Sequence, residues 1–252
     1  MSINAKNYIQ WRCCHFSCTN GSELSHVFML LLKHQSFMKK VFLLFVFSLW
    51  LSVLTASAYE FELDGLYYNI NGYKTVEVTW GLQYYRGNVS IPSFVSYQGE
   101  KYEVTAIGAS AFVFCDELTG VDIPASVTEI GASAFNHCSN LISVDIPSSV
   151  THIGSFAFSF CSRLASIMIP YSQQPLIIDD FAFQGCDGLT GVVCLAETPP
   201  VIMSHTFDQR HYKTASLKVP GNCVDTYRAA ENWSQFATIT VFVTSYYNVD
   251  HW

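Results

Sequence analysis

The six cysteines that follow residue 58 are the most reactive residue type that recurs regularly in this 252-residue chain. They are Cys115, Cys138, Cys161, Cys186, Cys194 and Cys223. Six cysteines in a secreted protein would ordinarily suggest three disulfides. However, the first four recur at intervals of 23, 23 and 25 residues, and a disulfide needs β-carbons angled towards each other at about 3.8 Å. Because equivalent side chains of stacked repeats project in parallel, we predict buried free thiols there. The pairing of Cys194 with Cys223 stays open.

The histidines were considered as partners for these thiols and as metal ligands. His137 precedes Cys138, but adjacent residues usually point apart, so the spacing does not indicate a nucleophile and its base. His205 and His211 lie in one predicted loop without a matching ligand pair, and no C-x-x-C or H-x-x-x-H motif follows residue 58. We therefore predict no catalytic residue, no metal site and no cofactor.

Paired carboxylates are the remaining candidates for chemistry. Asp122 and Asp145 occupy equivalent positions 23 residues apart, and Asp179 is followed by Asp180. If Asp122 and Asp145 lie on neighbouring strands, they are about 5 Å apart on the outward face. A cation could bridge them, but a solvated acidic patch is the favoured interpretation. Hydrolysis by two carboxylates would also need a cleft, which a smooth strand face does not provide.

These candidates are positioned by a 23-residue repeat. Copies begin at Val104, Val127 and Val150, and the second copy is VTEIGASAFNHCSNLISVDIPSS. Shared columns are formed by Phe112, Phe135 and Phe158, by Leu118, Leu141 and Leu164, and by Pro124, Pro147 and Pro170. One unit has too little apolar surface to fold alone, so stacked units must share a continuous core.

Two weaker copies continue the series. The fourth contains Ile178, Phe183, Cys186 and Leu189 after a two-residue insertion around Gln173 and Gln174, and Cys194 replaces an isoleucine. The fifth retains Ile202 and Phe207 and a strand-like segment that ends at Val219. Alternating apolar residues predict a short strand that ends before the proline, a second short extended piece, and a single helical turn that buries the phenylalanine.

The repeat resembles the 23-residue BspA-like class of leucine-rich repeats found on bacterial surface proteins. The matching residues are Leu141-x-x-Val144-x-Ile146-Pro147-x-x-Val150-x-x-Ile153-Gly154-x-x-Ala157-Phe158-x-x-Cys161. The resemblance implies a β-rich solenoid, a right-handed coil of short parallel strands with short helical or 3-10 turns. It also implies adhesion through protein contacts, although the family motif consists of core positions and carries over no ligand-binding residue.

Flanking segments are predicted to cover both ends of the solenoid. Residues 59–103 combine a degenerate first repeat with β-hairpin signals at Asp64-Gly65 and Asn71-Gly72. Residues 104–220 hold the repeats. Residues 221–252 are predicted to form a helical cap and tail, with Asn222 as N-cap of a helix through about Glu231. With both ends covered, a monomer is expected.

The first 58 residues indicate export. Residues 38–58 comprise a basic start, an apolar run and the small-residue sequence Ala56-Ser57-Ala58, which is typical of a signal peptide cleaved after Ala58. The run is too short to span a bilayer. Residues 1–37 precede this signal, which has its own methionine, so we expect a misassigned start; an unusually long signal region is the alternative.

Charge restricts the partners of the mature segment. Residues 59–252 contain 8 Lys and Arg against 19 Asp and Glu, a formal charge of −11. A nucleic acid or an anionic membrane surface is therefore not expected as a partner.

We predict a non-catalytic, secreted or cell-surface scaffold that binds an extracellular or cell-surface protein through the outward, concave strand face. The residues of that face are Gly120, Asp122, Ser143, Asp145, Ser166, Met168, Gly191 and Val193. A carbohydrate-binding accessory module is the alternative, for which exposed aromatic rings in a row are required. Four tyrosines near the N-terminal cap would supply them: Tyr84, Tyr85, Tyr97 and Tyr102.

Overall fold

A computed structural model of the protein describes residues 59–242. The predicted upstream segment (1–37), the signal peptide (38–58) and the last ten residues of the tail lie outside this described part.

The described chain is a solenoid built mainly from short strands. The first six are β1 (Phe61–Leu63), β2 (Leu66–Gly72), β3 (Thr75–Thr79), β4 (Gly87–Ser90), β5 (Phe94–Tyr97) and β6 (Glu100–Ile107). The repeats contribute β7 (Leu118–Asp122), β8 (Glu129–Ile130), β9 (His152–Ile153), β10 (Ser166–Ile169), β11 (Ile177–Ile178), β12 (Gly191–Cys194) and β13 (Val201–Ile202). After β13 come helix α1 (Gln209–Thr214), β14 (Ser216–Val219), helix α2 (Val224–Ala229), a 3-10 turn at Trp233–Gln235 and β15 (Thr238–Val241).

We call one turn of the solenoid, which corresponds to one repeat, a coil. The strands of successive coils form two parallel sheets, which we call walls. In one wall β6, β8, β9, β11 and β13 follow each other in parallel register. In the other wall β10, β12, β14 and β15 are parallel neighbours, and β4 pairs with β7 as a separate parallel pair. Parallel pairing between consecutive coils is the expected result of stacking identical units. The solenoid of short parallel strands predicted from the repeat is confirmed.

The third side of each coil is a run of hydrogen-bonded turns in place of a regular helical turn. Bonds from N–H to the carbonyl three residues earlier recur, as from Ala134 to Gly131. They are interrupted by two left-handed residues per coil, such as Ser133 (φ 56°) and His137 (φ 61°). The remaining N–H groups donate to the next coil, as from Phe135 to the Ala157 carbonyl at 2.7 Å. The backbone N–H groups of the turns therefore form hydrogen bonds both within a coil and to the next coil.

A spine of stacked aromatic rings runs through the core. It consists of Tyr85, Phe112, Phe135, Phe158, Phe183 and Phe207. Neighbouring ring centroids are 4.5 to 5.4 Å apart, and every member is buried. The phenylalanine column was expected from the repeat. Tyr85 extends it at the N-terminal end, within the segment that holds the degenerate first repeat, and its place in the column was not predicted.

The N-terminal segment forms the predicted hairpins and extends the first wall. β1, β2 and β3 are antiparallel neighbours, and β3 pairs in parallel with β6. Asp64 and Gly65 form the first turn with positive φ at both residues, as predicted. The prediction of a second turn at Asn71-Gly72 was wrong by two residues. β2 continues through Gly72 with a bulge, and the reversal occurs at Tyr73 and Lys74.

The C-terminal segment differs from its prediction in three ways. The helix is shorter, Val224–Ala229, and its N-cap is Cys223 without a side-chain cap bond, so the expected Asn222 cap is wrong. Helix α1 lies in the segment expected to be a loop. Its Asp208 N–H donates to the His211 ring, a contact that local patterning does not indicate. Finally, β15 adds a strand to β14 within the segment expected to be cap and tail.

Across residues 59–242 no helix is long and apolar enough to cross a membrane.

Candidate functional site

The predicted strand face is formed by two outward columns of the second wall. Gly191 pairs with Ser166 and Ser216, and Val193 pairs with Met168 and Lys218. In the N-terminal pair, Gly120 lies opposite Asn88 and Asp122 opposite Ser90. Inward residues such as Val121, Ile167 and Val192 alternate with them and are buried. This alternation is the reason that the predicted residues on regular strands, Gly120, Asp122, Ser166, Met168, Gly191 and Val193, point outward, and Asp145 joins their column through its bridge to Met168.

The second coil breaks the wall at the position of the two predicted carboxylates. Within residues 59–242, the segment from Leu141 to Ile146 contributes only an isolated bridge between Asp145 and Met168. Asp145 therefore does not lie on a regular strand paired with β7, although the Ile142 N–H donates to the Thr119 carbonyl of β7 at 3.2 Å, and the spacing of about 5 Å between Asp122 and Asp145 stays a prediction. The Asp122 carboxylate instead accepts a hydrogen bond from the Asn88 amide at 3.1 Å.

The strand face changes in character along the solenoid. Its acidic residues, Asp122 and Asp145, are exposed in the first two repeats. Apolar groups follow, because Ile142 and Met168 are 46% and 45% exposed. Lys218, exposed on β14, is the next member of the Val193 column. The prediction omitted Ser90, Lys218 and Thr240, which continue the column and were outside the clear repeats.

The cysteine column is buried and unpaired by disulfides, as predicted. All six cysteines from Cys115 onward are free and buried, including Cys194 and Cys223. Three thiols of the column donate to carbonyls of the preceding coil: Cys138 to Phe112, Cys161 to Phe135 and Cys186 to Phe158, at 3.0 to 3.2 Å. Burial raises the pKa of Cys115 to about 11 and that of Cys186 to about 12. These thiols are structural groups with little thiolate at neutral pH.

The histidines considered for catalysis have separate surroundings. The His137 ring stacks between Phe114 and Phe160, at centroid distances of 4.8 and 4.5 Å, whereas the Cys138 thiol is buried against the Phe112 carbonyl. His211 is buried in α1 with its Nε2 2.9 Å from the Cys186 carbonyl oxygen, and burial lowers its pKa. These contacts explain both histidines as packing and hydrogen-bonding residues.

One histidine contact was not anticipated. His152 lies between two carboxylates of neighbouring coils, with Nε2 3.1 Å from Asp179 and Nδ1 3.6 Å from Glu129. The register explains this contact, because Glu129 and His152 are paired residues of β8 and β9. Within the described residues, no group of three or more histidine, cysteine or acidic side chains is arranged to hold a metal ion.

The four tyrosines proposed for glycan binding do not form an exposed row. Tyr85 is buried in the aromatic spine, and its hydroxyl donates to the Thr79 carbonyl at 2.7 Å. Tyr97 stacks on Phe61 with centroids 4.1 Å apart. Tyr97 and Tyr102 are both half-buried, so Tyr84 is the member of this set with an exposed side chain.

A scan of protein families matches residues 91–229 to the BspA-type leucine-rich repeat region, in six copies. The chain belongs to this family. The six copies include the weaker units around Phe183 and Phe207 and the segment before Val104, so the match extends beyond the three clear repeats. No curated protein sequence gave a significant match.

Solved structures of bacterial leucine-rich repeat proteins resemble this one. A leucine-rich repeat protein of T. pallidum is 24% identical, with a TM-score of 0.56, covering 72% of this chain and 85% of that one. A leucine-rich cell surface protein of Faecalibacterium prausnitzii is 23% identical, with a TM-score of 0.48, covering 75% of this chain and 56% of its own. A leucine-rich repeat protein of Bacteroides capillosus is 30% identical, with a TM-score of 0.47, covering 53% of this chain and 96% of its own. The T. pallidum structure supports the leucine-rich repeat fold.

Proposed function

We propose that this BspA-type protein is a non-catalytic scaffold that binds an extracellular protein through its strand face, in an adhesion or host-interaction role. The observation that supports the proposal is a column of exposed apolar and charged side chains that runs across the strands of one face. Met168 lies between Asp145 and Val193 in one column, and Met168 is 45% exposed. Protein interfaces combine such apolar centres with a polar rim.

The proposed location is outside the cell. The support is the signal-like sequence of residues 38–58, which lies outside the described residues, together with a family whose members include surface proteins. The charge of −11 over residues 59–252 disfavours nucleic acid and anionic lipid surfaces as partners. A monomer remains our proposal for the oligomeric state.

The glycan alternative has lost most of its support. It depends on exposed aromatic rings in a row, whereas Tyr85 is buried and Tyr97 is stacked on Phe61. We therefore do not advance a second function.

Binding of the segment Tyr59–Trp252 to arrays of extracellular-matrix proteins and of glycans tests the proposal. We expect saturable binding to a protein that is weakened at least tenfold by Met168→Glu and by the pair Asp122→Lys and Asp145→Lys. The pair Asp225→Lys and Glu231→Lys has the same change in charge at exposed positions of the C-terminal segment, and should bind normally. Binding to glycans alone, or equal loss in both pairs, would contradict a strand-face protein site.

A further inference from the structure

A groove of about 650 Å³ lies at the N-terminal end of the solenoid. Residues of β1, β2, β4 and β5 line it, together with the loop from Trp80 to Arg86 that connects β3 to β4. We call it the Leu82 groove. The residues used below are Glu62, Asp64, Leu82, Tyr84, Arg86 and Asn88. Its volume is within the range of sites that bind small ligands and peptide side chains.

Two large side chains of the loop are exposed beside the groove. Leu82 is 83% exposed and Tyr84 is 51% exposed. Leaving a leucine in water forfeits most of the free energy that its burial would contribute. Exposed apolar groups clustered around a concavity are typical of interaction sites, and tyrosine is enriched among the residues that dominate binding energy. The loop thus provides an apolar anchor pair.

The loop that presents these side chains is fixed to the solenoid. Gly81 lies against the Tyr67 ring so closely that a β-carbon there would be 2.1 Å from a ring carbon. On the other side of Tyr84, the Tyr85 hydroxyl accepts the Tyr67 N–H at 3.1 Å and donates to the Thr79 carbonyl. A loop held at both ends loses little conformational entropy on binding, which favours affinity.

The charges around the groove favour a cationic occupant. Glu62 and Asp64 line it and are exposed. Arg86 also lines it, and its guanidinium forms an exposed ion pair with Glu117 at 3.0 Å. A second cation, Lys101, has its ammonium held over the Phe94 ring at 3.8 Å from the centroid. The carboxylates at the β1–β2 turn therefore remain available to an incoming Lys or Arg.

The groove is continuous with the strand face. Asn88 lines the groove, pairs with Gly120 in the wall and donates to the Asp122 carboxylate. A chain that leaves the groove along β4 therefore reaches the acidic end of the strand face.

We propose that the Leu82 groove binds an extended peptide segment of the partner protein, with apolar side chains against Leu82 and Tyr84 and a Lys or Arg beside Glu62 and Asp64. This inference rests on the proposed protein-binding function and names the partner's chemistry. It is independent of the Met168 region of the strand face, so the two sites can fail separately.

A random peptide library displayed on phage, panned on the segment Tyr59–Trp252, tests the inference without knowledge of the natural partner. The enriched sequence is then synthesised and titrated calorimetrically against the wild type and four variants, one of which is the Met168→Glu variant of the strand face. The pair Leu82→Ser and Tyr84→Ser removes the apolar anchors. The pair Glu62→Gln and Asp64→Asn removes the charge, and asparagine tolerates the left-handed backbone of residue 64. Tyr73→Ser is the matched control, because Tyr73 is 90% exposed and outside the groove.

We expect enriched peptides with at least one Lys or Arg among apolar residues. Their affinity should fall at least tenfold in each pair variant and stay unchanged in Tyr73→Ser, and circular dichroism should show that all variants are folded. No enrichment, an acidic consensus, or peptides that bind the anchor variant normally would overturn the inference. Loss of peptide binding in Met168→Glu alone would assign the peptide to the strand face, supporting the proposed function while excluding the groove.

Discussion

At the scale of single residues, three buried thiols form hydrogen bonds between consecutive coils. The Cys161 thiol donates to the Phe135 carbonyl at 3.2 Å, so a side chain of one coil is hydrogen-bonded to the backbone of the coil before it. Proline occupies the turn after the strand in the clear repeats, at Pro124, Pro147 and Pro170. A small, weakly polar thiol can make this contact inside an apolar core at little desolvation cost.

The first prediction concerns the reactivity of these thiols. With the pKa of Cys115 raised to about 11, on the order of one thiol in a thousand is ionised at pH 8. We expect iodoacetamide at pH 8 to leave Cys115, Cys138, Cys161 and Cys186 unmodified in the native protein and to alkylate all four in guanidinium, as measured by peptide mass spectrometry. Alkylation of native Cys161 at the rate of a free cysteine would contradict this packing.

The second prediction concerns pH and a partly buried carboxylate. Burial raises the pKa of Glu77, a hydrogen bond from Asn69 opposes the shift, and the Glu129 carboxylate adds to it. A carboxyl whose pKa is higher in the folded state opposes folding when ionised, so this cost is present at pH 7 and disappears as the pH falls to about 4.5. Glu77→Gln should therefore raise the thermal midpoint at pH 7 and leave it unchanged at pH 4. Equal midpoints at pH 7 would contradict the shift.

At the scale of elements, the turns position aromatic side chains on both sides of the backbone. Phe158 points into the core, whereas Phe156 and Phe160 in the same turn are exposed and have left-handed backbones. Phe160 stacks on His137, and Phe156 stacks on Phe181. The inner and outer rings thus have the same residue type but different energetic roles.

The third prediction separates these two roles. Phe135→Ala removes a fully buried ring from the middle of the spine and should cost about 3–5 kcal/mol in the free energy of unfolding. Phe160→Ala removes an exposed ring and should cost less than about 1 kcal/mol. Urea denaturation followed by circular dichroism measures both. Similar costs would show that the outer stack contributes to stability as much as the core.

At the scale of the whole molecule, the aromatic spine is closed at each end by residues outside the clear repeats. Tyr85 covers Phe112 at one end. At the other end Phe207 contacts Trp233 and Phe236, and the Trp233 indole N–H donates to the Pro200 carbonyl at 2.7 Å. That the terminal segments act as caps stays a prediction, which follows from the need of terminal repeats to hide their outer apolar face.

The fourth prediction tests the C-terminal cap. Trp233→Ala should lower the free energy of unfolding of the C-terminal part of the solenoid by about 3–5 kcal/mol. Because each coil contacts only its neighbours, amides from Val201 to Phe242 should lose protection from hydrogen exchange before those around Phe135. Hydrogen exchange of the variant and the wild type, followed by mass spectrometry, measures how the loss of protection varies along the solenoid. A uniform loss along the solenoid would indicate a single cooperative unit in which the cap has no local role.

The sequence by itself determined the repeat, its columns and therefore which side chains are buried. Regular spacing forces equivalent residues such as Phe135 and Phe158 into the same environment once coils stack, so the fold, the free thiols and the alternating strand face followed from pattern alone. The family match over residues 91–229 agrees with that analysis.

The tertiary structure alone decided the contacts between residues that do not share a pattern. It placed Tyr85 in the spine, left the segment around Asp145 without a regular strand, moved the second turn to Tyr73 and Lys74, and formed the Leu82 groove. These features arise where chain ends and insertions interrupt the repeat. There a residue's neighbours depend on how distant segments pack, and periodicity in the sequence carries no information about that packing.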